Sequence, residues 1–475
     1  MSRIWTLSAL LCASGLPCPS PGRAQSEGQR TVEILHAEEL QGQVIDGLTY
    51  RKLIGRVAIR QGDVLLRCDS AVHIVEREEI RLYGRIQIVQ PRDTLWAGQI
   101  RYDHKRRIAE AFGPLRYSDG IVRIEGRQAR YDYSRKWLEI PSPLRLEDTS
   151  FVVESRGAFY ETETKRALLV GSVILRGIRD SLYVQADTLE YWREEDRTRA
   201  SGRVFGHLPR ENVYVEGPRI WVERRHRRLR AEGFPTWVRI EDGERPDTLA
   251  LRAEWVEAVE LDSVHTRLEA AGNLELVSRE LMARAERLQG LRRRDSDVWR
   301  DSLWLLGRPR IWLRQSWLVA DSIWIASREG RPDSTWLHGR VLLLEQDTLL
   351  RRWHQARAER MRAVFADTSL AALDLLEGAE VLYFLRRDSI AEGAVQIAAR
   401  QIGLRFSEGR LSALHIPGSS EGTYYPEEAL RGEPPSLPGM PQRPENPPAW
   451  RVRLESGRIL LKDRIPGVSG TLPER

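Results

Sequence analysis

The sequence predicts an all-β protein, an elongated repeat array of antiparallel strands, and three observations carry that prediction. The first is a period of 29 residues kept from Leu53 to Leu175. Three apolar registers run through it in phase. They are Leu53, Leu82, Ala111, Ile140 and Leu169; then Val57, Ile86, Leu115, Leu144 and Val173; then Ile59, Ile88, Tyr117, Leu146 and Leu175. Gly55, Gly84, Gly113, Ser142 and Gly171 form a small-residue register between the first two. Self-similarity at such a period marks a solenoid, propeller or strand array. The second observation is alternation within each copy. In Leu82-Tyr83-Gly84-Arg85-Ile86-Gln87-Ile88 the apolar residues share one strand face and Arg85 and Gln87 take the other. The third is turn chemistry. Pro91-Arg92-Asp93-Thr94 leads into a second strand with Ala97, Ile100 and Tyr102, and the aromatic position repeats as His73, Tyr102, Tyr131 and Tyr160. Each unit is therefore two strands and two turns.

Taken in order, the chain opens on a targeting segment. Arg3 precedes a mainly apolar run from Ile4 to Leu16, and Gly22-Arg23-Ala24 offers small residues at a cleavage site, so a secretory signal peptide cut near Ala24 is expected. Lipidation of Cys18 is the alternative, weakened by the Leu16-Pro17 that precedes it. Cleavage would also remove Cys12, leaving Cys68 as a lone thiol and stability to repeat stacking rather than to disulfides. Cys68 is in register with Ala97 and Gly126, which reads as a small buried strand residue. Residues 25–50 form a lead-in with a strand over Thr31–Leu35. In the fourth regular copy Ser142 stands between Pro141 and Pro143, so an edge or bulged strand is expected there.

Beyond Leu175 the unit continues with looser spacing, its glycine returning at Gly202, Gly233, Gly272, Gly307, Gly339 and Gly378. The second-strand signature returns as Ala186-Asp187, Ala253-Glu254, Ala285-Glu286 and Ala320-Asp321. Asp93-Thr94, Asp180-Ser181, Asp247-Thr248, Asp301-Ser302 and Asp347-Thr348 read as tight turns. Trp299, Trp304, Trp312, Trp317, Trp324 and Trp336 cluster late at mixed-face positions, so one wall of this half is expected to present aromatic surface. About eleven units reach Leu411, roughly 50 Å of array at one strand of each unit per leaf. From Pro417 to Trp450 nine prolines predict irregular or extended chain, a candidate cap for the last strand, before a final strand over Arg451–Leu461. The expected segments are 1–24, 25–175, 176–416 and 417–475.

Composition narrows the function. Hydrophobic residues make up 41% and charged residues 30%, enough for a continuous core beneath a charged exterior. Five of the 74 basic residues are lysine. The net charge of +6 permits an anionic partner, but the basic residues neighbour acids and form no nucleic-acid stripe. Arg224-Arg225-His226-Arg227-Arg228 is the best basic run and reads as a solvated loop. No catalytic or metal-binding constellation emerges, and no cofactor is implied. Gly418-Ser419-Ser420-Glu421-Gly422 fits G-x-S-x-G but lies in a Pro/Gly-rich segment rather than on a strand-to-helix elbow. Glu194-Glu195-Asp196 and Asp295-Ser296-Asp297 have arginines alongside and read as solvated turns.

The unit as a whole resembles the OstA-like family of exported proteins. Its fullest statement is Leu169-Val170-Gly171-Ser172-Val173-Ile174-Leu175, then Asp180-Ser181-Leu182 and Ala186-Asp187-Thr188-Leu189-Glu190-Tyr191. The resemblance covers roughly residues 31–411 and implies an OstA/LptA-type twisted β-jellyroll with an apolar groove. It further implies a protein of the periplasm, free or associated with the outer membrane, that shields the acyl chains of lipopolysaccharide or another envelope lipid. The groove would be lined by Leu53, Val57, Ile59, Leu82, Ile86, Ile88, Leu115, Tyr117, Ile140, Leu144, Leu146, Leu169, Val173 and Leu175. Exposing one 14-carbon chain to water costs on the order of 11 kcal/mol, which is why such a groove is needed. Open sheet ends predict edge-strand pairing with other envelope transport proteins, or head-to-tail self-association. The competing readings are a non-catalytic envelope scaffold with a closed β core and, further off, a β-helix enzyme acting on polysaccharide.

Overall fold

The structure, a computed structural model, describes residues 32–462 apart from 90–92, 119, 121, 148, 150, 162, 179–180, 210–211, 242–246, 280, 296–297, 314, 330, 367–368, 388–389, 408–409, 433–434 and 456–457. The expected signal peptide with Cys12, Cys18 and Ala24 lies outside the described residues, as do Thr31, Pro91, Arg92, Asp180, Ser296 and Asp297. Among the described residues every regular element is a strand except two short 3-10 turns, and the chain divides into two compact units at Arg210.

The first unit runs β1 (Val32–His36), β2 (Glu39–Ile45), β3 (Leu48–Gln61), β4 (Val64–Ile74), β5 (Glu79–Val89), β6 (Thr94–Asp103), β7 (Ile108–Ser118) and β8 (Arg123–Asp132). It continues with β9 (Trp137–Ile140), β10 (Leu144–Glu147), β11 (Phe151–Ser155), β12 (Gly157–Glu161), β13 (Arg166–Gly177), β14 (Tyr183–Trp192) and β15 (Arg197–Leu208). Each strand from β3 to β8 pairs antiparallel with the next, as hairpin follows hairpin.

The periodic glycine marks a corner in every full-length copy. Gly55 and Arg56 of β3 are skipped opposite Asp69 of β4, a bulge of two residues against one. Gly84, Gly113 and Gly171 take the same left-handed backbone, φ +69 to +90°. A bulge bends its strand and adds twist. The bulges stack from strand to strand, so the sheet folds along one line. The burial shows the fold: Val57, Ile86 and Val173 are 1% exposed, although no helix of this unit covers them. Their cover is the other half of the same strands. Sequence reasoning allowed the two strands of a unit to lie in opposite leaves. Instead each strand from β3 to β8 crosses the fold line and contributes to both.

Several of these corners are also locked by an acid. A side chain on Gly84 would collide with the Asp69 carboxylate, which occupies that space and pairs with Arg85 at 2.7 Å. Glu38 does the same over Gly55 with Arg56, Asp187 over Gly202 with Arg203, and Asp321 over Gly339 with Arg340. The Arg203 N–H also donates to Asp187 Oδ2 at 3.1 Å, and these bonds hold the Asp187 carboxyl below its usual range. The Ala-Asp signature and the Gly-Arg signature are thus two halves of one contact. Where proline replaces flexibility the strand breaks instead. Pro141 and Pro143 separate β9 from β10, and Ser142 Oγ accepts the N–H groups of Arg127 and Gln128.

The second unit begins with β16 (Val213–Glu223), a 3-10 turn at Arg224–His226, β17 (Arg228–Glu232), β18 (Thr236–Glu241), β19 (Asp247–Arg252), β20 (Trp255–Glu260), β21 (His265–Val277), β22 (Leu281–Asp295) and β23 (Val298–Leu306). Then come β24 (Arg310–Leu313), β25 (Ser316–Val319), β26 (Ser322–Arg328), β27 (Arg331–Asp347), β28 (Arg352–Ala366), β29 (Ser369–Arg387) and β30 (Ile390–Ser407). Its inward column on one side of the corner reads Ala270, Leu288, Leu305, Ile323, Leu337, Met361, Leu375 and Ile402. None of these exceeds 1% exposure. Beyond the corner, Leu276, Ala283, Ile311, Leu318, Leu343 and Ala356 continue the inward face.

This second half-sheet is apolar on its outward face too. Val277, Met282, Trp312, Trp317 and Leu344 form an outward column, but its two tryptophans, expected to present aromatic surface, are buried. The Pro-rich segment covers it. The expected irregular stretch first contributes a strand: after β31 (Arg410–His415), β32 (Ser420–Pro426) pairs with β30 and includes most of the G-x-S-x-G match. A 3-10 turn at Glu427–Arg431 follows, and the chain then runs back across the sheet as an extended strap. Leu430 and Leu437 pack on Leu382 and Phe384, Met440 on Trp312 and Trp317, and Trp450 on Val238, Ala250 and Val277. Polar contacts fix its path. Glu427 takes both nitrogens of Arg352, the Trp312 indole N–H donates to the Glu445 carbonyl at 2.7 Å, and the Trp450 indole donates to Glu275 at 2.6 Å. The start of the segment therefore does add to the edge of β30, while from Glu427 onward it lies along the sheet face. The final strand expected over Arg451–Leu461 is a hairpin, β33 (Arg451–Glu455) with β34 (Arg458–Lys462).

Candidate functional site

The first unit assembles the fourteen groove candidates on one inward face. Val57, Leu82, Ile86, Ile88, Leu115, Tyr117, Ile140, Leu144, Leu169 and Val173 are buried, while Leu53, Ile59, Leu146 and Leu175 are half-buried beside them. Cys68 belongs to the same core, and burial pushes its thiol pKa up to about 12. Tyr102, Tyr131 and Tyr133 close one margin in edge-to-face contacts with centroids 4.6 and 5.7 Å apart. Along the middle of the unit these side chains pack on one another.

At the ends the inward face reaches solvent. Ile34 of β1 lies opposite Ile59, and Leu40 of β2 opposite Leu53, so both continue the inward columns. Ile34 is 56% exposed, Leu40 73% and Val44, on the same face as Leu40, 70%. The second unit ends alike: Leu414 extends the column of Leu373 and Leu404, Tyr424 lies opposite Val395, and both are exposed. An apolar inner surface that meets water on terminal strands is a place where acyl chains or a further strand gain by docking.

The second unit also holds polar groups inside, which sequence reasoning missed. Asp301, expected in a turn, lies within β23 and is buried. Arg239 reaches it at 3.5 Å from the half-sheet beyond the corner, and Arg292 approaches at 3.7 Å, so an ion pair joins the two halves across the interior. Asp347 does fit the turn reading: its Oδ1 accepts the N–H groups of Leu349 and Leu350. Glu194 and Glu195 are turn residues paired with Lys165 and Arg197, and the Arg224–His226 turn is exposed, both as expected.

His354 is an interior group whose protonation is tied to folding. Its ring stacks on Tyr383 at 4.0 Å, the Phe384 N–H donates to its Nδ1 at 3.1 Å, and Asp347 lies 3.8 Å from Nε2. Burial outweighs the nearby carboxylate and pushes the His354 pKa down to about 4. Between roughly pH 4 and 6.5 the unfolded chain therefore binds more protons than the folded one. Stability is fully present above that window and falls as pH drops through it, by at most on the order of 3 kcal/mol. Denaturant unfolding at pH 7 and pH 4.5 checks this. His354→Gln should lose less stability on acidification than the parent, by about 2 kcal/mol; equal losses would exclude His354 as the source.

Geometry thus defines a class: antiparallel β arrays folded along a line of glycine bulges, with an apolar interior open at terminal strands. Residues 29–185 match the family model described as OstA-like protein, so this region of the chain is OstA-like, as the repeats indicated. No curated protein matches the chain. The bulge-cornered unit continues beyond the matched residues, at Gly202, Gly272 and Gly339.

Proposed function

We propose that this protein is an exported lipid-binding protein of outer-membrane biogenesis, shielding the acyl chains of lipopolysaccharide or a similar envelope lipid against the inward face of its folded sheet. The observation that carries the reading is the OstA-like match over residues 29–185 on a face whose apolar columns run out to exposed Ile34, Leu40 and Val44. Periplasmic localisation, and docking of a second copy or a related envelope protein on the β1, β2, β31 and β32 edges, belong to the same proposal. Among the described residues no helix is long and apolar enough to cross a membrane.

Photocrosslinking in cells tests it. A crosslinker at Leu40 or Ile86 should capture lipopolysaccharide or another envelope lipid, and one at outward Arg85 should not. Capture from Arg85 alone, or from none of the three, would overturn the proposal. The tight packing of Val57, Ile86 and Val173 supports the second reading, a closed-core envelope scaffold. Protein purified without detectable lipid by mass spectrometry, together with absent crosslinks, would favour that reading.

A further inference from the structure

We propose that the outward face of the second unit carries a binding site for a phosphate group, built on an arginine column across adjacent strands. Arg293 of β22 lies opposite Arg300 of β23, Arg300 opposite Arg328 of β26, and Arg328 opposite Arg331 of β27. The first three line a cavity of about 240 Å³ together with Leu291, Ser302 and Asp333. These arginines alternate along their strands with the inward residues Leu303 and Ile325 and so face away from the apolar interior, with inward Asp301 and Ser327 completing the cavity at the strand ends.

Like charges directly opposite each other across strands destabilise a sheet. Four in a row call for compensation, and the chain supplies little. Asp295 approaches Arg293 at 3.4 Å and Arg300 at 3.6 Å. Of the two carboxylates that line the cavity, Asp301 is taken by Arg239 and Arg292, and Asp333 remains. Among the described residues Arg328 and Arg331 have no ion-pair partner. Among the described residues, the ion pairs of these four guanidiniums therefore run to one carboxylate, Asp295. Guanidinium forks bind phosphate oxygens in bidentate fashion, and a doubly charged anion would relieve the repulsion that the column creates. Next to the column, Trp324 donates its indole N–H to Ser302 Oγ at 2.6 Å and packs on Trp304, so the wall is held rigid.

The site does not depend on the lipid reading of the interior, and its test is separate. Thermal unfolding and calorimetric titration of the full chain would compare sodium phosphate with sodium chloride at matched ionic strength. Phosphate at a hundredfold excess over its Kd should raise Tm by about 5 °C beyond the chloride control. Arg300→Gln with Arg328→Gln should weaken phosphate binding at least ~10-fold while leaving Tm in chloride equal or higher, because repulsion is removed. Equal phosphate binding by parent and variant, or no gain over chloride in the parent, would overturn the proposal. Vesicles of phosphatidylcholine with and without phosphatidic acid identify the source. Binding that requires both phosphatidic acid and the arginines assigns the site to a lipid phosphate; phosphate binding without vesicle binding assigns it to a soluble one.

Discussion

Truncation after Pro426 is expected to unfold the second unit at a markedly lower temperature while the first unit melts as before. The strap from Glu427 to Trp450 covers an outward column in which Trp312 is 6% exposed, Trp317 5%, Leu344 0% and Leu382 0%. Burying each such side chain contributes roughly 1.5–3 kcal/mol, and a domain's whole stability is about 5–15 kcal/mol. Losing the cover also leaves an aromatic surface that invites association. Two signals should follow together: a calorimetric transition lost or shifted by more than ~10 °C, and strong binding of a hydrophobic dye before unfolding. Leu437→Ala gives the milder version. Leu437 is 2% exposed between strap and sheet, so a loss of about 2–4 kcal/mol is expected in denaturant titration. Unchanged melting of both variants would mean that the strap contributes nothing to the fold.

The second large effect belongs to the corner. Gly84→Val should destabilise the first unit by about 2–4 kcal/mol. Gly84 has φ +69°, where a β-branched residue is strained, and the new side chain would strike the Asp69 carboxylate. The exposed Asp69–Arg85 pair itself contributes little, with Arg85 83% exposed, so backbone strain and collision account for the loss. Gly42→Val is the control: nothing lies within 4 Å of its added carbon and its φ is ordinary. Urea midpoints for the two variants side by side would decide it, and similar values would remove the corner argument.

These features differ in how far the sequence announces them. Leu53, Val57 and Ile59, with their copies at 29-residue spacing, declare their faces because alternation and a bulge of constant position map sequence directly onto geometry. Asp301 could not be read that way. Asp-Ser before an apolar run looks the same in a turn and within a strand, and its partner Arg239 is 62 residues away. The nine prolines from Pro417 to Pro448 announced that the segment joins few ladders, but where it lies depends on apolar anchors spaced along it. Leu437, Met440 and Trp450 were the trace of that, and outward Trp312 and Trp317 were its counterpart. The arginine column is invisible in one dimension, since Arg293, Arg300 and Arg328 become neighbours only through strand pairing.

The locked corner has a bearing on how such a chain can lengthen. At Gly55, Gly84, Gly202, Gly272, Gly307 and Gly339 the space vacated by the glycine is filled by a carboxylate from chain that precedes its strand, so at these corners neither partner is complete alone. Inserting a single strand would leave an acid without its cavity or a cavity without its acid, and would reverse the direction of everything after it. Inserting an acid-bearing strand together with its glycine strand changes neither. Copy number can therefore drift by whole units while half-units are rejected, and each added unit extends the inward face by the same increment. Array length thereby becomes a variable that duplication of whole units can adjust.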